Sequence, residues 1–233
     1  GITSDAQKIG DFSSLNAESI IALNPDFVIL TGSSSGRGGG VAQTELADTL
    51  AAANIPVAYF KVTTFDDYLR MLRTCCDITG DEQAYAENGQ AAADKIEEIR
   101  AKVEGKQAGS AVVLTTYSGG TRVQSSSTQT GVMLSELGAE NIADSNKGLL
   151  SDYSLEALIE ANPRTIFLLP MGDSDEAAQK ALEDQTTANP AWAQLDAVKN
   201  NRVVTLDPKL FQCKPNNNWD QAYQFLYDAL YSE

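Results

Sequence analysis

The same helix-to-strand passage is written twice in this chain. Leu15-Asn16-Ala17-Glu18-Ser19-Ile20-Ile21-Ala22-Leu23-Asn24-Pro25 runs into an apolar stretch at Asp26–Leu30. Tyr153-Ser154-Leu155-Glu156-Ala157-Leu158-Ile159-Glu160-Ala161-Asn162-Pro163 runs into another at Arg164–Leu169. The spacing between the copies is 138 throughout (162 − 24 for the Asn-Pro pairs, 156 − 18 for the glutamates), with no gap. Asn-Pro stops a helix, because the proline ring pushes the residue before it out of the right-handed helical region. Each copy therefore predicts a helix that feeds a core strand. Two copies on one plan predict two lobes rather than a single continuous sheet.

The rest of the chain fits that expectation. Short apolar runs rich in β-branched residues read as buried parallel strands: Phe27–Leu30, Val57–Phe60, Ala111–Leu114, Thr165–Leu169 and Arg202–Leu206. Helical patterns lie between them, at Gln43–Ala53, Phe65–Asp77, Gly131–Leu137 and Leu155–Ala161. This β-α alternation predicts an α/β fold with mostly parallel sheets. One element breaks the rhythm. From Asp81 to Glu104 the chain is dominated by Ala, Glu, Gln, Lys and Arg, and Ile96, Ile99 and Val103 mark one apolar face. A helix of that length reaches about 35 Å, longer than a crossover helix needs. It predicts a rod (81–105) joining an N-terminal lobe (1–80) to a C-terminal lobe (106–233). The competing reading is an ordinary surface helix within one sheet.

Composition removes whole classes of function. There is no histidine, so His triads, His general bases and His-ligated zinc or haem are excluded. Cys75, Cys76 and Cys213 are an odd set with one adjacent pair, which is not a disulfide framework, and helical neighbours point about 100° apart. Lys plus Arg is 17 against 32 Asp plus Glu, a net charge of −15 that repels nucleic-acid backbones. No apolar run approaches the roughly 18 residues of a membrane span, and no signal peptide is visible after Gly1. The Gly/Ser tract at 32–40 lacks Gly-Lys-Ser/Thr and is no phosphate loop; it reads as a pocket-rim loop or a plain linker. Asp173 and Asp175 do not extend into a calcium loop.

In each repeat a residue suited to capping stands two before a glutamate: Asn16 before Glu18, and Ser154 before Glu156. Acids in a first helical turn complement the helix dipole, which is the simpler account of both. Their matched positions suit docking to a partner with two-fold symmetry. The repeat unit resembles the first-lobe signature of cobalamin- and siderophore-binding proteins of ABC importers, the periplasmic-binding class with a rigid interlobe helix. Leu134-Ser135-Glu136-Leu137-Gly138-Ala139-Glu140-Asn141-Ile142 is similar to a second segment of that family, with Ala139 where a second glycine is usual. A third likeness runs from Asn189-Pro190-Ala191-Trp192 through Ala197-Val198-Lys199 to Arg202-Val203. The resemblance extends from about Ile9 to the C-terminus. It implies a monomeric extracytoplasmic binding protein, periplasmic or lipid-anchored at the outer face of the cell membrane. It also implies that Glu18 and Glu156 form salt bridges with the ABC transporter membrane subunits. The family normally carries a further β-α unit before the first signature; only about a dozen residues precede Leu15 here, so the expectation is either a fragment or a truncated first lobe.

The ligand is then expected between the lobes, on loops that follow strand C-termini. The loops are Thr31–Gly40, Tyr59–Thr64, Thr116–Thr130, Lys147–Tyr153, Met171–Ser174 and Phe211–Trp219. They offer Tyr59, Tyr117, Tyr153, Met171 and Trp219 as apolar walls, each of which could equally be core packing. Arg122 is a better anion anchor than Arg37, because it lies between a glycine pair and a Ser/Thr-rich stretch. The expected ligand is a small-molecule metal chelate, a ferric siderophore or similar iron complex, with no resident cofactor or metal. Corrinoid or haem are the alternatives within the family, and haem would have only Tyr or Met as axial ligand. An enzyme on a related scaffold is disfavoured by the missing histidine and the lack of C-x₂-C. A ligand-sensing ectodomain that docks no transporter is the remaining alternative.

Overall fold

A computed structural model of the chain describes residues 6–9, 15–31, 45–151, 153–172, 175–186, 188–212 and 214–232. Contacts gather the chain into two units, Gly1–Val62 and Thr63–Glu233. The first unit runs α1 (Ala17–Ala22), β1 (Val28–Leu30), α2 (Leu46–Ala52), β2 (Val57–Tyr59). Asn16 starts α1. Its side-chain oxygen accepts from the amides of Glu18 and Ser19, at 2.7 and 3.3 Å, which serves donors that the first turn leaves without partners. Beyond the helix Asn24 takes a left-handed φ of 46°, which asparagine tolerates better than most residues. β1 and β2 pair in parallel, with Val28 opposite Val57. Ile20, Leu30, Leu46, Leu50 and Ile55 form a small core against one face of this pair. Successive strand residues alternate faces, and Ile29, on the other face, is 56% exposed.

The second unit opens with α3 (Phe65–Thr79), α4 (Glu82–Tyr85), a π-helical turn (Ala86–Gln90) and α5 (Ala91–Val103). Then come β3 (Gly109–Tyr117), β4 (Gly120–Gln124), α6 (Gln129–Glu136), β5 (Ala139–Asn141), α7 (Ile142–Ser145), α8 (Lys147–Ser151), α9 (Leu155–Ala161) and β6 (Thr165–Pro170). It closes with α10 (Asp175–Gln185), α11 (Asp196–Lys199), β7 (Val203–Thr205), α12 (Pro208–Phe211) and α13 (Trp219–Tyr231). The sheet order is β4-β3-β6-β7. β6 takes one edge of β3 in parallel, so β4 and β5 share the other edge, β4 along Val113–Tyr117 and β5 along Gly109–Ala111. Every residue of β6 is buried, as expected of a parallel strand covered on both faces. Val112, Leu114, Ile166, Leu168, Leu158 and Trp192 are central to the core on one side of the sheet.

The repeat read in the sequence persists in the hydrogen bonds. In the first unit the Val28 amide donates to the Pro56 carbonyl (2.9 Å) and the Phe60 amide to the Leu30 carbonyl (2.9 Å). In the second, the Ile166 amide donates to Arg202 (3.0 Å) and the Leu206 amide to Leu168 (2.7 Å). The registers correspond, Val28 with Val57 and Ile166 with Val203. Asn162 ends α9 in the left-handed conformation that Asn24 adopts after α1, with φ 41°. Both Asn-Pro pairs therefore turn a helix into a strand through the same backbone geometry.

Three expectations need amendment. The helix expected over Asp81–Glu104 is helical from Glu82 to Val103 but widens into the π turn at Ala86–Gln90. There Gly89 is buried against Leu69 and Leu72 of α3, and the Tyr68 hydroxyl donates to the Asn88 carbonyl at 2.9 Å. This rod and α3 both group with the second unit, and the division falls between Val62 and Thr63 rather than after residue 80. The reason is packing: Phe65 and Tyr68 lie on Trp219 of α13, and Lys95 pairs with Asp220 at 2.8 Å. Finally, two segments expected as loops are not: α8 fills most of Lys147–Tyr153, and Thr116–Thr130 is not a loop either. β3 runs on to Tyr117 and an antiparallel β4 occupies much of the segment. A short polar edge strand lacks the apolar run by which strands are recognised.

Candidate functional site

The β3–β4 hairpin pairs Tyr117 with Gly120, Thr115 with Arg122 and Val113 with Gln124. Residues two apart share a face, so Thr115, Tyr117, Arg122 and Gln124 stand on one side, and Leu114 and Val123 on the other. Leu114 and Val123 pack into the core. The first side is polar and tightly tied. Gln124 Nε2 donates to Thr115 Oγ1 at 2.8 Å, and Gln124 Oε1 accepts from the Thr128 hydroxyl at 3.0 Å. Thr128 in turn caps α6, its Oγ1 accepting from the Gly131 amide at 3.2 Å. Above this ladder the Arg122 guanidinium lies over the Tyr117 ring, 5.2 Å from its centroid. The ring lies across the Ser118–Gly119 turn, where a Cβ on Gly119 would stand 2.9 Å from it.

Met171 joins this end of the sheet. It follows β6, and its amide donates to the Thr116 carbonyl at 2.8 Å, level with the top of β3. Tyr117 thus ends β3 and Met171 follows β6, at the C-terminal ends of two adjacent parallel strands, where α/β sheets hold ligands, and Arg122 reaches Tyr117 from the antiparallel β4. Tyr153 and Trp219 do not join them at the surface. Trp219 is 0% exposed and packs on Phe65 and Tyr68, at centroid distances of 5.9 and 6.4 Å. Tyr153 packs beside the main core; burial first, then the Glu156 charge, push its hydroxyl up to about 12. Among the described residues, neither the Tyr153 hydroxyl nor the Trp219 indole N–H has a hydrogen-bond partner. In the first unit, Tyr59 ends β2 opposite Leu30 and is 38% exposed. Arg37 and the 32–40 tract lie outside the described residues, as do Asp173 and Cys213.

Glu18 and Glu156 both stand in first helical turns and both are exposed. Ser154 caps α9, its hydroxyl oxygen accepting from the Ala157 amide at 3.2 Å and its proton going to Glu156 Oε2 at 2.9 Å. The Glu156 backbone amide and then the Ser154 hydroxyl hold the carboxylate below its ordinary pKa. Sequence reasoning missed the Thr115–Gln124–Thr128 ladder. It also missed Gln129, which is 8% exposed, donates to the Leu210 carbonyl at 3.0 Å and accepts from Lys214 at 3.2 Å. The four-residue spacing of Gln124 and Thr128 was visible, but their partner Thr115 is fixed by strand register. Among the described residues no group of three or more His, Cys, Asp or Glu could hold a bare metal ion.

The duplicated helix-strand plan and the mostly parallel sheets place the chain in the α/β class. The family model for periplasmic binding proteins matches residues 3–210, and the chain belongs to that family. The family implies an extracytoplasmic location. No described helix is long and apolar enough to cross a membrane. The high-affinity heme uptake system protein IsdE of Staphylococcus aureus (strain MRSA252) is 28% identical over 145 residues, 60% of this chain and 49% of that protein. The chain thus spans about half the length of the curated relatives it matches. Among solved structures, an ABC transporter substrate-binding protein from Listeria monocytogenes EGD-e has a TM-score of 0.73 at 20% identity, covering 99% of this chain and 86% of that one. S. aureus IsdE complexed with heme has a TM-score of 0.72 at 19% identity, covering 98% and 86%. The periplasmic heme-binding protein RhuT from Roseiflexus sp. RS-1, in apo form, has a TM-score of 0.71 at 22% identity, covering 98% and 84%. At these identities the solved structures establish the fold.

Proposed function

We propose that this chain is the substrate-binding protein of an ABC importer and captures a metal chelate, a ferric siderophore or similar iron complex, without catalysing a reaction. The observation that carries this reading is the Arg122 guanidinium stacked on Tyr117 at the C-terminal end of β3, in a chain of this family. A flat aromatic ring and a guanidinium suit the apolar ligands and charged edge of a chelate. The protein acts as a monomer, in the periplasm or lipid-anchored outside the membrane. Glu18 and Glu156 dock it to arginines of the two membrane subunits. Exposed pairs of this kind are individually weak but fix orientation and speed encounter.

Haem is the second reading, favoured by the named function of the curated relatives. Tyr117 or Met171 would then supply the axial ligand, since the chain has no histidine. Equilibrium dialysis against ferric hydroxamate, ferric citrate, hemin and cobalamin tests both. Saturable one-to-one binding of an iron complex supports the proposal, and a Soret shift with hemin selects the second reading. Binding of none of the four would refute both.

A further inference from the structure

Arg122 differs from the other described arginines in what its guanidinium faces. Arg70 pairs with Asp67, Arg73 with Glu82, and Arg100 with Glu136. Arg164 donates to the Ala108 carbonyl, and Arg202 to Thr165 and to the carbonyls of Ala229 and Leu230. Arg122 has only the Tyr117 ring, with no acceptor for its five N–H donors among the described residues. It is exposed, on a chain of net charge −15 that carries 32 carboxylates to 17 cations. An arginine in such a field is readily paired, and leaving this one unpaired keeps its planar fork open. That fork matches a carboxylate bidentately, which a lysine ammonium does not.

The surroundings hold the fork in place. Tyr117 and Arg122 are diagonal neighbours on one hairpin face, the separation at which long and aromatic side chains reach each other. Gly119 leaves room for the ring across the turn. The Thr115–Gln124–Thr128 ladder ties the strand beneath to the start of α6. A side chain already ordered by stacking loses less freedom when a ligand arrives.

We infer that the Tyr117–Arg122 pair is a recognition element for a carboxylate carried by the bound chelate, so the protein selects anionic, carboxylate-bearing complexes over neutral or cationic ones. This rests on the chelate-binding reading above and narrows its substrate class. The test uses the full chain and Arg122→Gln, Arg122→Lys and Tyr117→Leu, with far-UV circular dichroism as the check on folding. Dissociation constants are measured by calorimetry for ferric citrate and hemin, which carry carboxylates, and for ferrioxamine B, a cationic hydroxamate complex. Loss of a charge-assisted bidentate contact should weaken the carboxylate chelates by about 10- to 100-fold in Arg122→Gln. Arg122→Lys and Tyr117→Leu should fall between, and ferrioxamine B affinity should not change. Equal affinity of Arg122→Gln and wild type for both carboxylate chelates would overturn the inference, as would wild-type binding of ferrioxamine B alone. The latter result leaves the chelate reading standing. If no chelate binds, that reading falls, and titration of ¹⁵N-labelled protein with iron-free citrate still decides the inference. A saturable shift of the Arg122 Nε–H resonance supports it, and an unmoved resonance refutes it.

Discussion

At the scale of single residues, two aromatics of similar standing in the sequence have opposite roles. Trp219 is wholly buried against Phe65 and Tyr68, whereas Tyr117 lies half-buried at the hairpin tip under a guanidinium. Trp219→Ala should therefore cost about 3–5 kcal/mol in urea unfolding, the range for emptying a large aromatic site in a core. Tyr117→Ala, measured in the same way, should cost less than half of that. Glu156 supplies a prediction of another kind. Its own backbone amide and then the Ser154 hydroxyl lower its pKa from an ordinary 4.5. A carboxylate with a lowered folded pKa adds stability above its unfolded value, and that stability fades as pH falls through the folded value. Ser154→Ala should raise the Glu156 pKa toward 4.5, read by carbon-detected NMR titration. The same change removes the cap on the Ala157 amide and should cost about 1 kcal/mol.

At the scale of elements, junctions are more tightly specified than the strands and helices they join. The start of α3 is one example: the Asp67 carboxylate accepts from the amides of both Thr63 and Thr64, each at 3.0 Å, while Thr64 Oγ1 accepts from the Asp67 amide. This clamp lies at the boundary between the two units. The start of α6 is another. A Cβ on Gly131 would stand 2.2 Å from the Ser125 carbonyl oxygen and 2.7 Å from the Ser126 Cα, both backbone atoms that cannot rotate away. Gly131→Ala should therefore displace the first turn of α6 from the Ser125–Thr128 turn and cost about 1–3 kcal/mol, the usual range for overpacking. Amide exchange should speed up at Thr128–Val132, and in β4 through the Gln124–Thr128 bond. Unchanged exchange in that stretch would show that the contact relaxes at no cost.

For the whole molecule, the repeat matters because it sets one acid on each unit in the same local setting. Glu18 and Glu156 are exposed first-turn residues beside side-chain caps, 138 positions apart (156 − 18). If they dock to the transporter by charge, Glu18→Lys and Glu156→Lys should each weaken its association with the membrane complex. The loss should be largest at low salt, where a longer screening length lets exposed charges act. The double reversal should lose more than either single change, while chelate affinity measured by dialysis stays the same. Transporter binding that is insensitive to salt in the double variant would leave helix-dipole complementarity as the better account of both acids.

The sequence alone determined the α/β class of the chain and many of its elements. α9 spans Leu155–Ala161 as its pattern predicts, and Ile96, Ile99 and Val103 are buried along α5 as their spacing predicts. Apolar runs, caps and Asn-Pro stops act within windows of ten residues or so, and a window carries its own signal. Only the tertiary structure decided that β4 is a strand, because its polar residues become a strand through their bonds to β3. It alone decided that Trp219 is core, because Phe65 and Tyr68 lie about 150 positions away along the chain (219 − 65). The Tyr117–Arg122 pair belongs with these. Each residue is visible in the sequence, but their meeting depends on the hairpin register, and a shift of one residue would turn Arg122 to the opposite face.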